Sequence, residues 1–144
     1  MIDDLNSRYG LNPAHSEVVE ACKVIEPCDT LDMGCSNGRN ALYLGQLGFN
    51  VTAVDTNPSA IDMLNNISVE QKMDNIKADV YDINNASLGK DYGFISCTVT
   101  LMFIQSDRVD SVIEDMQKHT LAGGYNLIVC AMSTEEHPCP VFRV

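Results

Sequence analysis

Basic side chains are scarce in this chain. Nine lysines and arginines stand against 20 aspartates and glutamates among 144 residues, which gives a formal net charge of −11 at pH 7. A protein with that charge repels phosphate backbones and anionic membrane surfaces. We therefore expect neither nucleic acid nor a lipid surface among its partners.

Long apolar runs and paired cysteines are also missing. No stretch approaches the roughly 20 apolar residues of a membrane span, and the acidic, polar residues 1–5 are unlike a signal or transit peptide. The six cysteines contain no C-x-x-C pair, so we interpret them as reduced thiols of a cytoplasmic protein. Cys35 and Cys139 are the two placed where a thiol could face a ligand, and no metal site is predicted.

The most informative stretch is residues 31–40, whose pattern is typical of a strand, a tight glycine-rich turn and the first turn of a helix. Gly34 and Gly38 can adopt backbone angles that other residues avoid, and without a Cβ they let a ligand approach the main chain. A parallel strand that feeds a helix in this way opens a nucleotide-binding α/β unit. The turn residues predicted to bind the ligand are Gly34, Cys35, Ser36, Gly38 and Arg39.

Two carboxylates indicate which ligand this is. Asp55 ends the next apolar run, roughly 20 residues after the glycines, where an acidic side chain suits the two hydroxyls of a ribose; Thr56 is grouped with it in the predicted site. Asp32 precedes the turn and supplies an acceptor-only group that could hold an ammonium. A ligand with a ribose and an amine but no phosphate is S-adenosylmethionine.

Three other interpretations of the turn fit less well. A dinucleotide fingerprint would need glycine in place of Ser36 and Arg39, and the Gly-Lys-Ser/Thr triplet of a P-loop occurs nowhere in the chain. The spacing G-x-S-x-G around Ser36 matches a nucleophile elbow, which requires an acid and then a histidine later in the chain. Only His119 and His137 follow, and neither lies in an obvious loop after an acid-bearing strand. The methyl-donor interpretation is therefore favoured.

Strand and helix patterns alternate along the chain without linkers or repeats. Strands are predicted at about 29–33, 50–55, 75–81, 93–98 and 125–131, the last preceded by a turn at 122–124; helices are predicted at about 15–26, 38–47, 58–70 and 107–119. This order predicts a doubly wound α/β fold with a mainly parallel sheet. Its ligand should lie over the carboxyl ends of the strands.

The ends of the third and fourth strands are predicted to complete the site. Asp82 could accept a hydrogen bond from an exocyclic adenine amine, and the Ile83 backbone N–H could donate to a ring nitrogen. Asp79 competes for the first role but would lie inside the strand. The stretch 98–103, which begins with Thr98, should form the floor where the sulfonium of the donor meets its acceptor.

Together these segments resemble the TehB family of tellurite-resistance methyltransferases, a branch of the class I S-adenosylmethionine-dependent methyltransferases. The similar stretches are 15–18, 31–40, 82–85, 98–103 and 123–129, within a resemblance that runs from about residue 8 to residue 141. The resemblance implies a Rossmann-like fold and a cytoplasmic enzyme that methylates tellurite in detoxification, with selenium compounds as further candidate acceptors.

The chain departs from the family pattern in three ways. Ser36 and Gly93 stand where the family usually has glycine and aspartate, and the chain ends at Val144, where the family continues through another helix and strands six and seven. We therefore expect residues 1–144 to form one S-adenosylmethionine-binding domain, C-terminally truncated relative to the family, with strands one to five only. The apolar edge of strand five would then invite pairing with another chain, including a homo-oligomer.

Methyl transfer asks mainly for alignment of acceptor, methyl and sulfur, because the sulfonium is already activated. A soft, anionic small-molecule acceptor needs no general base, whereas an acceptor with a proton to lose could use Tyr9 or His15, the two candidate catalytic residues. The alternative to an active methyltransferase is an inactive donor-binding fragment or an interaction module.

Overall fold

The structure, a computed structural model, describes residues 4–132 and 134–136; His137 and Cys139 of the sequence analysis lie outside this part. The strands are β1 (Asp29–Met33), β2 (Asn50–Asp55), β3 (Ile76–Val80), β4 (Tyr92–Thr98) and β5 (Thr120–Val129). The α-helices are α1 (Leu5–Arg8), α2 (Ser16–Ala21), α3 (Arg39–Gln46), α4 (Pro58–Glu70) and α5 (Val109–Lys118). Short 3₁₀ turns lie at Ile83–Asn85, Leu101–Phe103 and Ser106–Arg108.

The five strands form one sheet in the order β3-β2-β1-β4-β5, and each of its four pairings is parallel. The predicted parallel α/β sheet is therefore confirmed. The strand order reverses between β1 and β4, and in open parallel sheets a ligand-binding crevice forms at such a point, outside the carboxyl ends of the strands.

Helices cover both faces of the sheet, as a doubly wound fold requires. One face packs against α1 to α4 through buried side chains such as Leu5, Val18, Leu42 and Leu64. The other face packs against α5, which contributes Val112 and Met116 to a second apolar cluster. Within the described part of the chain, no helix is both long and apolar enough to span a bilayer.

Two predicted boundaries were wrong. The helix expected at 15–26 ends at Ala21, because the next N–H groups turn back onto carbonyls three residues earlier, beginning with Lys23 N to Glu20 O at 3.1 Å. The turn expected at 122–124 lies inside β5, where the pairing shifts register between Tyr92 and Phe94 and Gly123 has φ +78°. Long-range pairing with β4 extends the strand through these small residues.

Gly93, one of the departures from the family pattern, lies in β4 beside Cys28. A Cβ at this position would lie 3.0 Å from the Cys28 sulfur, so a larger side chain would require the thiol to move. Burial raises the pKa of the Cys28 thiol, and it also raises the pKa of the thiols of Cys22, Cys35 and Cys97. These cysteines are therefore protonated, free thiols, in line with the reduced state expected from the sequence.

Asp32 of β1 is a carboxylate inside the protein, with 1% of its surface exposed. It receives a hydrogen bond from the backbone N–H of Ala41 in α3, while its Oδ2 has no hydrogen-bond partner among the described residues. Burial, followed by the negative charge of Asp55, raises the pKa of Asp32 to about 7, while Arg39 and the Ala41 N–H oppose the shift.

This buried carboxyl should make the stability of the protein depend on pH. An aspartate in the unfolded chain has a pKa of about 3.9, so between roughly pH 4 and pH 7 the folded chain keeps a proton that the unfolded chain has released. The free energy of unfolding therefore falls as pH rises through this window, by at most about 4 kcal/mol at roughly 1.4 kcal/mol per pKa unit.

We expect Asp32→Asn to remove this contribution, because an amide cannot ionise yet can still accept from Ala41. The difference between the free energy of unfolding of Asp32→Asn and that of the unmodified chain should increase from pH 4.5 to pH 8. Urea denaturation at each pH measures both values. Asp62→Asn, at an exposed position of α4, is the matched control and should leave the pH dependence unchanged. A constant difference between Asp32→Asn and the unmodified chain across this range would contradict the assignment.

Candidate functional site

A cleft of about 640 Å³ lies over the carboxyl ends of β1 to β4. All the predicted donor-binding residues line its wall except Asp32 and Gly38, and neither predicted catalytic residue, Tyr9 or His15, lines it. The cleft therefore brings together residues from the ends of four strands.

The glycine-rich turn forms one wall. Gly34 has φ +72°, and its N–H and that of Cys35 donate to the Val54 carbonyl at 2.8 and 2.9 Å. A Cβ on Gly34 would collide with the side chain of Thr100. Gly38, with φ +98°, is the N-cap residue of α3 and lies against the Leu64 side chain. It therefore determines the shape of the turn without lining the cleft.

Asp55 is held in place at this wall by two backbone donors. Its Oδ2 accepts the Ser36 N–H at 2.9 Å, and its Oδ1 accepts the Asn57 N–H at 2.9 Å. Ser36 has φ +49°, in the left-handed region that favours glycine, which is the residue expected there from the family resemblance. The carboxylate thus joins the end of β2 to the turn while lining the cleft.

Asp82 lies at the next strand end and lines the cleft together with Ile83. Its Oδ1 accepts the Asn84 backbone N–H at 3.0 Å, which caps the 3₁₀ turn that follows β3. Asp79, the competing candidate, lies within β3, faces Lys77 at 3.9 Å on the surface and does not line the cleft.

The floor is formed by the end of β4. The Thr98 Oγ1 accepts from the Asn40 side-chain amide at 3.0 Å, and the Thr100 hydroxyl donates to the Thr98 carbonyl at 2.9 Å. Between them, Val99 has φ +54°. A β-branched residue in this region is a true outlier, at a cost of roughly 1–2 kcal/mol. Of the predicted floor, Leu101 and Met102 lie outside the cleft wall.

Sequence reasoning missed the N-terminal segment, whose residues 10–12 form another wall of the cleft. Three hydrogen bonds hold it to the start of α3: Asn6 Nδ2 to Arg39 O at 2.9 Å, Arg39 Nη1 to Pro13 O at 3.2 Å, and His15 N to Asn40 Oδ1 at 2.8 Å. Asn40 therefore connects this segment to Thr98 on the floor.

Tyr9 and His15 are engaged away from the cleft. The Tyr9 hydroxyl accepts from the Gln71 side-chain amide at 2.7 Å, which fastens the N-terminal segment to the end of α4. The His15 Nδ1 accepts the Glu17 N–H at 3.1 Å and so caps α2. Their positions favour structural roles over the predicted roles as general bases.

The charges at the cleft are mainly acidic. Asp55 and Asp82 line it, Asp32 lies beneath the turn, and Arg39 provides a cation at the wall. Burial, followed by the charges of Asp32 and Asp55, raises the pKa of the Cys35 thiol, which is therefore neutral. In the described part of the chain, no cluster of three or more histidine, cysteine or acidic residues is arranged to hold a metal ion.

The chain is similar to proteins that are already known. Residues 2–143 match the family described as "Tellurite resistance protein TehB". The chain is 47% identical over 139 residues to a "Probable S-adenosyl-L-methionine-dependent methyltransferase TehB" of Haemophilus influenzae strain 10810, an alignment that covers 96% of this chain and 48% of the relative.

Solved structures show the same relation. The crystal structure of TehB from Haemophilus influenzae matches with a TM-score of 0.92 at 45% identity, covering 96% of this chain and 48% of that one. The glycopeptide N-methyltransferase MtfA complexed with S-adenosylmethionine matches with a TM-score of 0.74 at 20% identity over 85% of this chain and 52% of that one, which shows a shared fold. The chain spans about half the length of the TehB relatives that it matches, and it belongs to the TehB family.

Proposed function

We propose that this chain is a single domain that binds S-adenosylmethionine in the cleft and catalyses methyl transfer to a small, soft acceptor, with tellurite as the first candidate. The observation that carries the proposal is the placement of Asp55. Its carboxylate lines the cleft beside the glycine turn and is oriented by the Ser36 and Asn57 N–H groups. A carboxylate at this strand end suits the vicinal hydroxyls of a ribose.

The other wall residues would divide the donor among them. Asp55 and Thr56 would hold the ribose, and Asp82 and Ile83 would receive the adenine. The amino-acid end would lie against the turn near Arg39, whose guanidinium suits a carboxylate. Asp32, buried below the turn, would act on the donor ammonium only through its field and through the turn that it supports.

The described side chains favour an acceptor that needs no deprotonation. Bound S-adenosylmethionine would supply a methyl group on a sulfonium, and its transfer to an acceptor lone pair leaves the thioether S-adenosylhomocysteine. Tyr9 and His15 are engaged outside the cleft, and the Cys35 thiol is neutral. A soft oxyanion or thiolate already carries the lone pair, so the domain would supply alignment and exclusion of water. The tellurite named for the family fits this class.

Asp55→Ala should weaken binding of S-adenosylhomocysteine by about 2 kcal/mol, or roughly 30-fold, because hydrogen bonds to charged groups contribute about 1.5–3 kcal/mol. Isothermal titration calorimetry measures this. With an analogue that lacks both ribose hydroxyls, the same substitution should change the binding constant less than twofold. Asp62→Ala, on the exposed side of α4, is the control. An equal loss with both ligands would show that Asp55 serves only to hold the turn through Ser36.

The activity itself is tested by formation of S-adenosylhomocysteine from S-adenosylmethionine with tellurite, selenite and small thiols. We expect turnover with at least one of these acceptors, and at donor concentrations below saturation it should fall in Asp55→Ala roughly in proportion to its weaker donor binding. Donor binding with no turnover on any of them would instead identify an inactive donor-binding fragment. Absence of donor binding would contradict the proposal as a whole.

We also propose that the enzyme is cytoplasmic. A second copy of the chain would pair with the edge of the sheet that β5 forms. This strand ends the sheet order, and Leu121, Tyr125 and Ile128 along it are exposed. An exposed, largely apolar edge strand is a template for pairing with another strand.

Ile128→Lys should shift the chain from a dimer or larger assembly towards a monomer, because a lysine on an edge strand opposes strand pairing. Size-exclusion chromatography with light scattering gives the mass in solution. Val69→Lys adds the same charge at an exposed position of α4 and should leave the assembly intact. A monodisperse monomer of the unmodified chain would rule out this partner.

A further inference from the structure

Val99 combines a strained backbone with a side chain in the cleft. Its φ of +54° belongs to the left-handed region, and the residue, directly after β4, is 40% exposed. We propose that Val99 is the specificity-determining residue that limits the size of the methyl acceptor. This inference rests on the function proposed above and names the substrate class for the same cleft: small nucleophiles rather than bulky ones.

The surrounding structure holds Val99 in this conformation. Its N–H donates to the Val129 carbonyl of β5 at 2.7 Å. On either side, Thr98 is bonded to Asn40 and Thr100 is packed under Gly34, with the Thr100 hydroxyl bonded to the Thr98 carbonyl. Both neighbours are therefore fixed, and together they determine the backbone conformation of Val99 between them. Strain persists where the surroundings determine the backbone in this way.

A glycine would meet the same requirement without strain, as Gly34 and Gly38 do in the facing turn. Other non-glycine residues with positive φ in the described chain are Ser36, Lys72 and Ala86, none of them β-branched. What valine adds over glycine is two methyl groups at the cleft wall. Left-handed valine at a ligand-binding wall thus points to a contact made by that side chain.

The position of those methyl groups fits a limit on acceptor size. Val99 lines the cleft beside the turn that would hold the donor, at the strand end where the sheet order reverses. Phe103 and Ile104, which follow Val99 in the chain, also contribute apolar residues to the lining of the cleft. An isopropyl group here reduces the space next to the donor and leaves the acceptor region less hydrated, which favours small, soft nucleophiles over bulky ones.

The test uses Val99→Ala and Val99→Gly, which remove the methyl groups, and Val99→Ile, which extends the side chain. For each variant, kcat/KM is measured with tellurite and with an aromatic thiol, together with the Kd of S-adenosylhomocysteine. We expect the ratio of kcat/KM for the aromatic thiol over that for tellurite to rise at least tenfold in the alanine and glycine variants and to fall in the isoleucine variant. The Kd should stay within twofold.

Val80→Ala is the matched control, since Val80 is an exposed valine at the end of β3 outside the cleft wall. The thermal midpoint of Val99→Gly should equal or exceed that of the unmodified chain, because glycine relieves the left-handed strain. An unchanged selectivity ratio, or a loss of donor binding in step with activity, would overturn this inference alone. A donor-binding but inactive unmodified chain would overturn it together with the acceptor proposal, and absence of donor binding would overturn the proposed function first.

Discussion

The close approach of Gly34 to Thr100 is the constraint on which the rest of the site depends. These residues follow β1 and β4, the two strands between which the sheet order reverses. Because Gly34 has no Cβ, the Thr100 side chain fills the space where one would stand. The turn after β1 and the floor after β4 are therefore fixed relative to each other by packing, before any ligand binds. A side chain at position 34 would separate them.

Polar contacts extend this fixed pair to the remaining walls of the cleft. Asp55 ties the end of β2 to the turn through Ser36, and Asn40 ties the N-terminal segment to the floor through His15 and Thr98. Asn40 is itself only 5% exposed, and both the oxygen and the nitrogen of its side-chain amide are hydrogen-bonded, to His15 and Thr98 respectively. A buried amide whose oxygen and nitrogen are both hydrogen-bonded fixes the orientation of the two segments that it connects. Loss of one partner would leave an unpaired buried polar group, which is energetically costly. The walls of the cleft are thus preorganised by a small number of bonds.

The sequence carried local information about the fold and the strand ends. Alternating patterns placed the strands within a residue or two of their observed bounds, apart from the start of β5, and the carboxyl ends of parallel strands meet at one edge, which is why Asp55 and Asp82 could be placed in one site. Long-range contacts could not be inferred in this way. The hydrogen bond between Tyr9 and Gln71 joins residues 62 positions apart in the chain, and the one between the Asn40 amide and Thr98 joins residues 58 positions apart. The extension of β5 likewise depends on its pairing with β4.

The charge of the buried Asp32 depends both on its local position in the sequence and on the long-range packing that surrounds it. Its place before the turn was evident from the sequence, but its burial was not, and burial decides its charge. With a pKa of about 7, Asp32 is partly protonated near neutral pH, which lessens its repulsion of Asp55. The acidic side chains that line the cleft wall are those of Asp55 and Asp82, which can attract a cationic sulfonium donor. A neutral thioether product lacks that attraction, so in the proposed reaction the same field favours binding of the donor over retention of its product.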